Sequence, residues 1–272
     1  MIKFSFEVPV AYLRELDKLN DYHFILAHLL VKDKYYAQFY KCSKKFKILD
    51  NGALELGQSI DTDTLIKLAL DFRVDVLVLP DVWMDKDNTL KRSLNAVKQI
   101  INNELTSLFD IMFVPQGNTI TEFIDCLTNF LQQIQYYNSD IIQHVIIGLP
   151  YLTCAKICSF VSPMFPRRDD DVTNARIYLI QKIREFCRLR IHLLGAGENM
   201  TQEISFMRHY PNVISIDTST PFVLALNGIK LDEHGLFTRV IKPRLDFYIP
   251  YNKKLLKLAL HNAGIIKRFG GI

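Results

Sequence analysis

Apolar residues in this chain fall into short, almost continuous runs, each followed by a longer stretch with helical spacing. The clearest run is 213–216, Val-Ile-Ser-Ile, cut off by Asp217-Thr218-Ser219-Thr220-Pro221. A β-branched run stopped by an acid, hydroxyls and a proline predicts a buried strand. The same pattern recurs. Strands are predicted at 47–49, running into Asp50-Asn51-Gly52-Ala53, and at 74–79, ending at Pro80-Asp81. Others are predicted at 111–114 before Pro115-Gln116-Gly117-Asn118, at 145–147 before Gly148-Leu149-Pro150, and at 190–194 before Gly195-Ala196-Gly197-Glu198. Helices are expected between them at 61–72 (amphipathic), 87–102, 121–135 and 175–187, and after the Glu198 turn through Phe206; Asp61 or Thr62 and Thr121 are the expected caps.

The remaining stretches are less regular. Residues 4–10 alternate weakly, as a lead-in strand would, and the apolar stretch 22–31 also reads as a strand. Residues 32–47 interleave cations with aromatics, which suits a solvated loop or a surface that tracks a nucleic-acid backbone. Residues 162–173 hold two prolines, Arg167, Arg168 and three acids in a row, and read as a loop or lid. Residues 237–249 look strand-like, and 252–263 a basic helix.

Strand and helix thus alternate about seven times at roughly 30-residue spacing, and continuously apolar strands indicate a parallel sheet covered on both faces. A chain of 272 residues fits an α/β (β/α)8 TIM-like barrel formed as a single domain over 1–272. An open doubly wound sheet is the competing fold, but no GxGxxG follows the first strand.

Composition changes this picture little. With 49% hydrophobic and 23% charged residues, the chain has the make-up of a soluble globular protein. No apolar run nears the roughly 20 residues a membrane span needs, and the first residues lack a secretory apolar core. A cytoplasmic location with no membrane partner is expected. The five cysteines include one close pair, Cys154 and Cys158, without a second pair or a histidine nearby, which argues against a structural zinc site, and carboxylate chemistry at the strand ends needs no metal or cofactor. A net charge of +4 permits a nucleic-acid partner without requiring one.

Six strand ends carry polar or glycine signatures: Asp50, Asp81, Gln116, Gly148, Gly195 and Asp217. In a barrel such ends share one mouth. Carboxylates and a carboxamide suit the donor and acceptor edge of a purine, and glycines let backbone amides approach a flat ring. Two further carboxylates suit displacement at a sugar carbon, one as nucleophile and one as acid/base. Asp217 could instead cap the helix that follows it. His192 lies inside its strand pattern and reads as a core residue.

The ordered series ILDNGA, VLPD, VPQG, IIGLP, HLLGAG and SIDTSTP resembles the motif series of the tRNA-guanine transglycosylase superfamily, over about residues 48–221. The resemblance implies a (β/α)8 enzyme that exchanges guanine in a nucleic acid for a 7-deazaguanine. It implies Asp217 as the nucleophile at C1′ and Asp50 as the general acid/base. Asp81, Gln116 and the backbone of Gly148 and Leu149 would read the base, with Leu194 and Gly195 as one wall of the slot.

The chain also departs from the pattern. Leu54 stands where a stacking aromatic is usual, and the glutamate usual near Thr153 is missing. No arginine follows the nucleophile's proline over 222–228, and the C-terminal zinc motif is absent. A short zinc-free chain is most similar to the phage-type DNA 7-deazaguanine transglycosylases. The implied partners are therefore DNA ahead of tRNA, with a free 7-deazaguanine as co-substrate, in a host cytoplasm and in a possible homodimer. The expected nucleic-acid contacts are Lys44, Lys45, Arg167, Arg168, Lys242 and Arg244. A non-catalytic binding subunit and an N-glycosidase of the same fold are the rival functions.

Overall fold

A computed structural model describes residues 1–158, 169–197, 199–235 and 245–271. The strands are β1 (Lys3–Phe6), β2 (His23–Leu26), β3 (Lys47–Asp50), β4 (Val76–Val78), β5 (Asp110–Phe113), β6 (Val145–Pro150), β7 (Arg190–Leu194) and β8 (Val213–Thr218). They form one sheet in the order β1-β8-β7-β6-β5-β4-β3-β2. The β1/β8, β3/β4, β4/β5 and β5/β6 pairs run parallel. Parallel strands in cyclic chain order, with helices between them, make this an α/β protein of the (β/α)8 TIM-like barrel class, as the periodicity predicts. The chain divides into two compact units, Ile25–His192 and the pair of segments Met1–Phe24 and Leu193–Ile272.

In Ile25–His192 the strands are buried almost end to end, which explains their unbroken apolar runs. The helix Ile120–Tyr137 buries Phe123, Cys126, Leu127, Phe130 and Ile134, a stripe at helical spacing. Phe130 stacks on Phe113 of β5 with ring centroids 3.8 Å apart. Each such buried ring contributes about 1.5–3 kcal/mol relative to exposure. Gly117 has no room for a side chain: a Cβ there would lie 2.7 Å from the Phe123 nitrogen and from Glu122 Cβ. The turn after β5 thus presses directly on the start of the next helix.

In Met1–Phe24 with Leu193–Ile272, Asn262 is fully buried on the helix Lys253–Phe269. Its Oδ1 accepts from Leu231 N (2.9 Å) and its Nδ2 donates to Ile229 O (2.9 Å), so the amide is satisfied at both ends. Tyr12 Oη donates to Pro250 O (2.8 Å) and accepts from Asn252 N (2.7 Å), and Lys267 Nζ donates to Asp21 Oδ1 (2.7 Å). Asp21 and Phe24 tie the approach to β2 onto β1: Phe4 N donates to Asp21 Oδ2 (2.9 Å) and Phe24 N to Ser5 Oγ (2.9 Å).

Several sequence expectations need correction. The apolar stretch 22–31 is a strand only to Leu26; Ala27–Lys32 is helical. A fully apolar stretch has no period to separate the two states. The lead-in strand stops at Phe6, and residues 10–12 are a 3₁₀ turn. Residues 34–42 are a helix, Lys34–Cys42, rather than a loop, with the Asp33 side chain accepting from Tyr36 N (2.8 Å). The helix after β5 is capped by Thr119, which accepts from Glu122 N (3.1 Å), and not by Thr121. Of the expected lid 162–173, residues 162–168 lie outside the described residues and the rest belong to the helix Asp169–Phe186. Residues 237–244 also lie outside the described residues, while 245–249 form a turn and not a strand. The basic helix at 252–263 is Lys253–Phe269, capped by Asn252. His192 is wholly buried on β7, as its strand pattern predicts.

Candidate functional site

In Ile25–His192 four polar side chains meet at the carboxyl ends of β3, β4 and β5 and the helix after β6. β3 ends in Asp50, whose carboxylate accepts from Gly52 N (2.8 Å); Gly52 has φ 77, which turns the chain at once. Asn51 Oδ1 accepts from Ala53 N (2.8 Å), so its Nδ2 points the other way and donates to Leu79 O (2.7 Å) and Asp81 Oδ1 (2.7 Å). Gln116 Oε1 accepts from Thr153 Oγ1 (2.8 Å) and Met84 N (3.2 Å), which fixes its amide so that Nε2 donates to Asp81 Oδ2 (2.6 Å). Asn51, Asp81, Gln116 and Thr153 are all buried.

Asp81 is thus a buried carboxylate with an amide on each oxygen. Burial pushes its pKa above the usual carboxylate range; the hydrogen bonds from Asn51 and Gln116, and then the Arg92 charge, act against the rise. Two neutral amides do not neutralise a carboxylate. A carboxylate has about four acceptor positions, and the two amides with the Asp81 backbone N–H do not use them all, so the group can still accept from an N–H donor of a ligand.

In the other unit Asp217 is the penultimate residue of β8, opposite Ser5 of β1, and is 5% exposed. Its Oδ1 accepts from Gly195 N (3.3 Å), and Gly195 has φ 70, a conformation open to glycine at little cost. The local turn into the helix Thr220–Leu226 is made by Thr218, whose hydroxyl accepts from Thr220 N (3.0 Å). Asp217 is therefore held by the β7 end rather than spent on a turn. Tyr22 is fully buried in the same unit; burial and then the Asp217 charge raise its phenol well above the usual tyrosine range, with a hydrogen bond to Ser215 opposing. Such a tyrosine stays neutral and keeps its proton.

The predicted site residues divide as follows. Asp81 and Gln116 are brought into direct contact, as are Gly195 and Asp217. Gly148 and Leu149 lie buried in β6, and the Leu149 carbonyl accepts from Arg176 Nη2 (2.9 Å). Leu194 is the half-buried last residue of β7. Lys44 is exposed and Lys45 half-buried, whereas Lys47, at the end of the cation-rich segment, is buried with Nζ donating to Phe72 O (3.0 Å). That ammonium faces the protein, so it leaves the expected nucleic-acid surface. Arg167, Arg168, Lys242 and Arg244 lie outside the described residues.

Asn51, Thr153, Arg176 and Tyr22 were not singled out by sequence. Arg176 had a signal: it interrupts the apolar spacing of Val172, Leu179, Ile180 and Ile183 on its helix, and it is wholly buried with its guanidinium 5.3 Å from the Tyr151 ring. Thr153 and Asn51 carry no such mark. Among the described residues no group of three or more His, Cys, Asp or Glu is placed to hold a metal. No described helix is long and apolar enough to cross a membrane. The surface hollow bordered by Asp63, Ile66, Lys67, Leu70, Asp71 and Asn103 includes none of the candidate residues. No known family model matches the chain, and no curated protein matches it.

Proposed function

We propose that this chain is a base-exchange transglycosylase that replaces guanine in DNA with a 7-deazaguanine such as the cyano form. The observation that carries the reading is the buried Asp81 held between the Asn51 and Gln116 amides at strand ends. A desolvated carboxylate bonded to neutral amides lowers stability, and such groups cluster at functional sites. Here it offers acceptors to the paired N–H donors on a guanine edge. The motif order from Asp50 to Asp217 supports the same reading.

In the first step an Asp217 oxygen attacks C1′ of the target nucleotide, and the C1′–N9 bond breaks with its electron pair going to the base. Asp50 gives that base its proton and becomes a carboxylate. A free 7-deazaguanine then loses its N9 proton to Asp50. Its N9 attacks C1′ and expels the Asp217 carboxylate. One base leaves and one enters, and both carboxyl groups return to their starting states. The target base must leave the stack, at a cost of a few kcal/mol.

The test is guanine exchange, with labelled guanine offered alongside duplex DNA, single-stranded DNA or tRNA. Label entering DNA with the wild type, and not with Asp217→Asn, is the expected result. Label entering tRNA alone keeps the chemistry and replaces the substrate. A wild type that labels no polymer, and releases guanine from none, overturns the reading.

A further inference from the structure

Trp83 is the chain's one tryptophan, two residues after Asp81, and it is 54% exposed. The backbone that carries this ring is fixed on both sides. Met84, next to it, has φ 61, a left-handed conformation that an ordinary side chain adopts only where its surroundings hold it there. Gln116 Oε1 accepts from Met84 N (3.2 Å), and Asn118 Nδ2 donates to Met84 O (3.0 Å). On the other side Val82 N donates to Thr89 Oγ1 (2.9 Å), which donates back to Val82 O (3.1 Å). One of these fixing groups, Gln116, is also bonded to Asp81. The ring's mounting and the buried carboxylate therefore share a hydrogen-bond network.

Residues 81–92 carry three acids and three cations, and the cations stand on the helix that follows Trp83. Lys91 and Arg92 are exposed on the helix Lys86–Asn102, and the Arg92 charge lowers the pKa of both Asp81 and Asp85. Of the acids on this segment, Asp85 caps the helix through Asn88 N (3.0 Å), and Asp87 lies 3.9 Å from Lys86 Nζ. An exposed indole on a held backbone, with exposed cations on the helix that follows it, is the combination that binds single nucleic-acid strands, with bases stacking on the ring and cations on the phosphates.

The geometry points to Trp83 as a stacking platform for a base of a nucleic-acid substrate. This rests on the proposed transglycosylase reading and adds to it a contact that stacking, rather than hydrogen bonding, supplies. Since every base has a π-face, the contact strengthens binding without selecting sequence.

Tryptophan emission from this chain reports Trp83 alone, so the test is direct. The full chain is titrated with a fluorescein-labelled single-stranded DNA oligonucleotide, and anisotropy follows binding while emission follows the ring. An abasic strand of equal length is the control. Quenching by the base-bearing strand and not by the abasic one is expected. So is a loss of affinity of about tenfold or more for Trp83→Ala, with most of the affinity kept in Trp83→Phe. Unchanged emission in a saturated complex, equal affinity for Trp83→Ala, or no binding by the wild type overturns the platform. Guanine exchange on the same samples separates the two proposals. Exchange with unquenched emission removes the platform and keeps the transglycosylase; quenching without exchange does the reverse.

Discussion

The two ends of the strands in Ile25–His192 are both polar, yet they treat their charges differently. At the amino ends Asp110 Oδ2 accepts from Arg190 Nη2 (2.8 Å), and its Oδ1 lies 2.8 Å from His144 Nδ1. Asp75 accepts from Lys47 N (2.7 Å), and its carbonyl accepts from Asp110 N (2.8 Å). Charge meets opposite charge at a partly exposed rim, and the bonds stitch β3, β4, β5 and β7 together. At the carboxyl ends Asp81 is buried, and its direct partners are neutral amides. A paired rim charge stabilises a fold, whereas a buried carboxylate bonded to neutral amides costs stability and is retained where something uses it. In barrels of this class the carboxyl ends are where activity is built and the amino ends where stability is.

The sharpest way to break this contrast is Asp81→Ala. It removes the acceptor for two amides and for the proposed guanine edge, so exchange should fall by about a hundredfold or more, because a site built to bond a ligand's N–H groups loses heavily when they go unpaired. Guanine exchange measured at saturating DNA decides it, and near-normal exchange would make the network structural. Next comes Asp110→Ala, which strands Arg190 and His144. A loss of about 1–2 kcal/mol is expected in urea unfolding, with the proposed exchange by the folded protein unchanged. Loss of turnover at temperatures where the variant is fully folded would erase the distinction between the two ends.

Gly117→Ala sharpens the contrast from the packing side. Its new methyl group would press on the Glu122–Phe123 backbone, so a cost of about 1–3 kcal/mol is expected in the same unfolding experiment. Thr119→Ala should cost about 1 kcal/mol by removing the cap on the same helix, and thermal unfolding would show it. The subtlest effect is in pH. Asp81 has a folded-state pKa above its unfolded one, so the native state binds its proton more tightly. Its contribution is then most favourable below the ordinary carboxylate range and is lost as pH rises through the raised folded value. Across that window wild-type stability should fall relative to Asp81→Asn. A difference between the two that stays flat with pH would mean that Asp81 titrates normally.

Much of this molecule was readable in its sequence. The strands at 47–49, 111–114, 190–194 and 213–216 stand nearly where their apolar runs put them, because strands buried on both faces leave an unbroken apolar signature. The placement of Asp50, Asp81, Gln116 and Asp217 at strand ends follows from the same punctuation. Where the signal was ambiguous, long-range contacts decided. Ala27–Lys32 is helical although its apolar run continues the strand, and Lys47 is turned inward to the Phe72 carbonyl although it ends a basic stretch. Thr121 was the expected cap of the helix after β5, and the structure puts Thr119 there, accepting from Glu122 N.

By itself the sequence determined the fold class and the chemical identity of the groups at the strand ends, since periodicity and punctuation are local properties of the chain. Which of those groups touch is a different matter. That Asn51 and Gln116 both aim at Asp81, that Thr153 orients Gln116 from 37 residues away, and that the Trp83 turn hangs on the same amide were decided only by the tertiary structure. Hydrogen bonds across such separations depend on how strands register and how their turns close, and no local pattern encodes that.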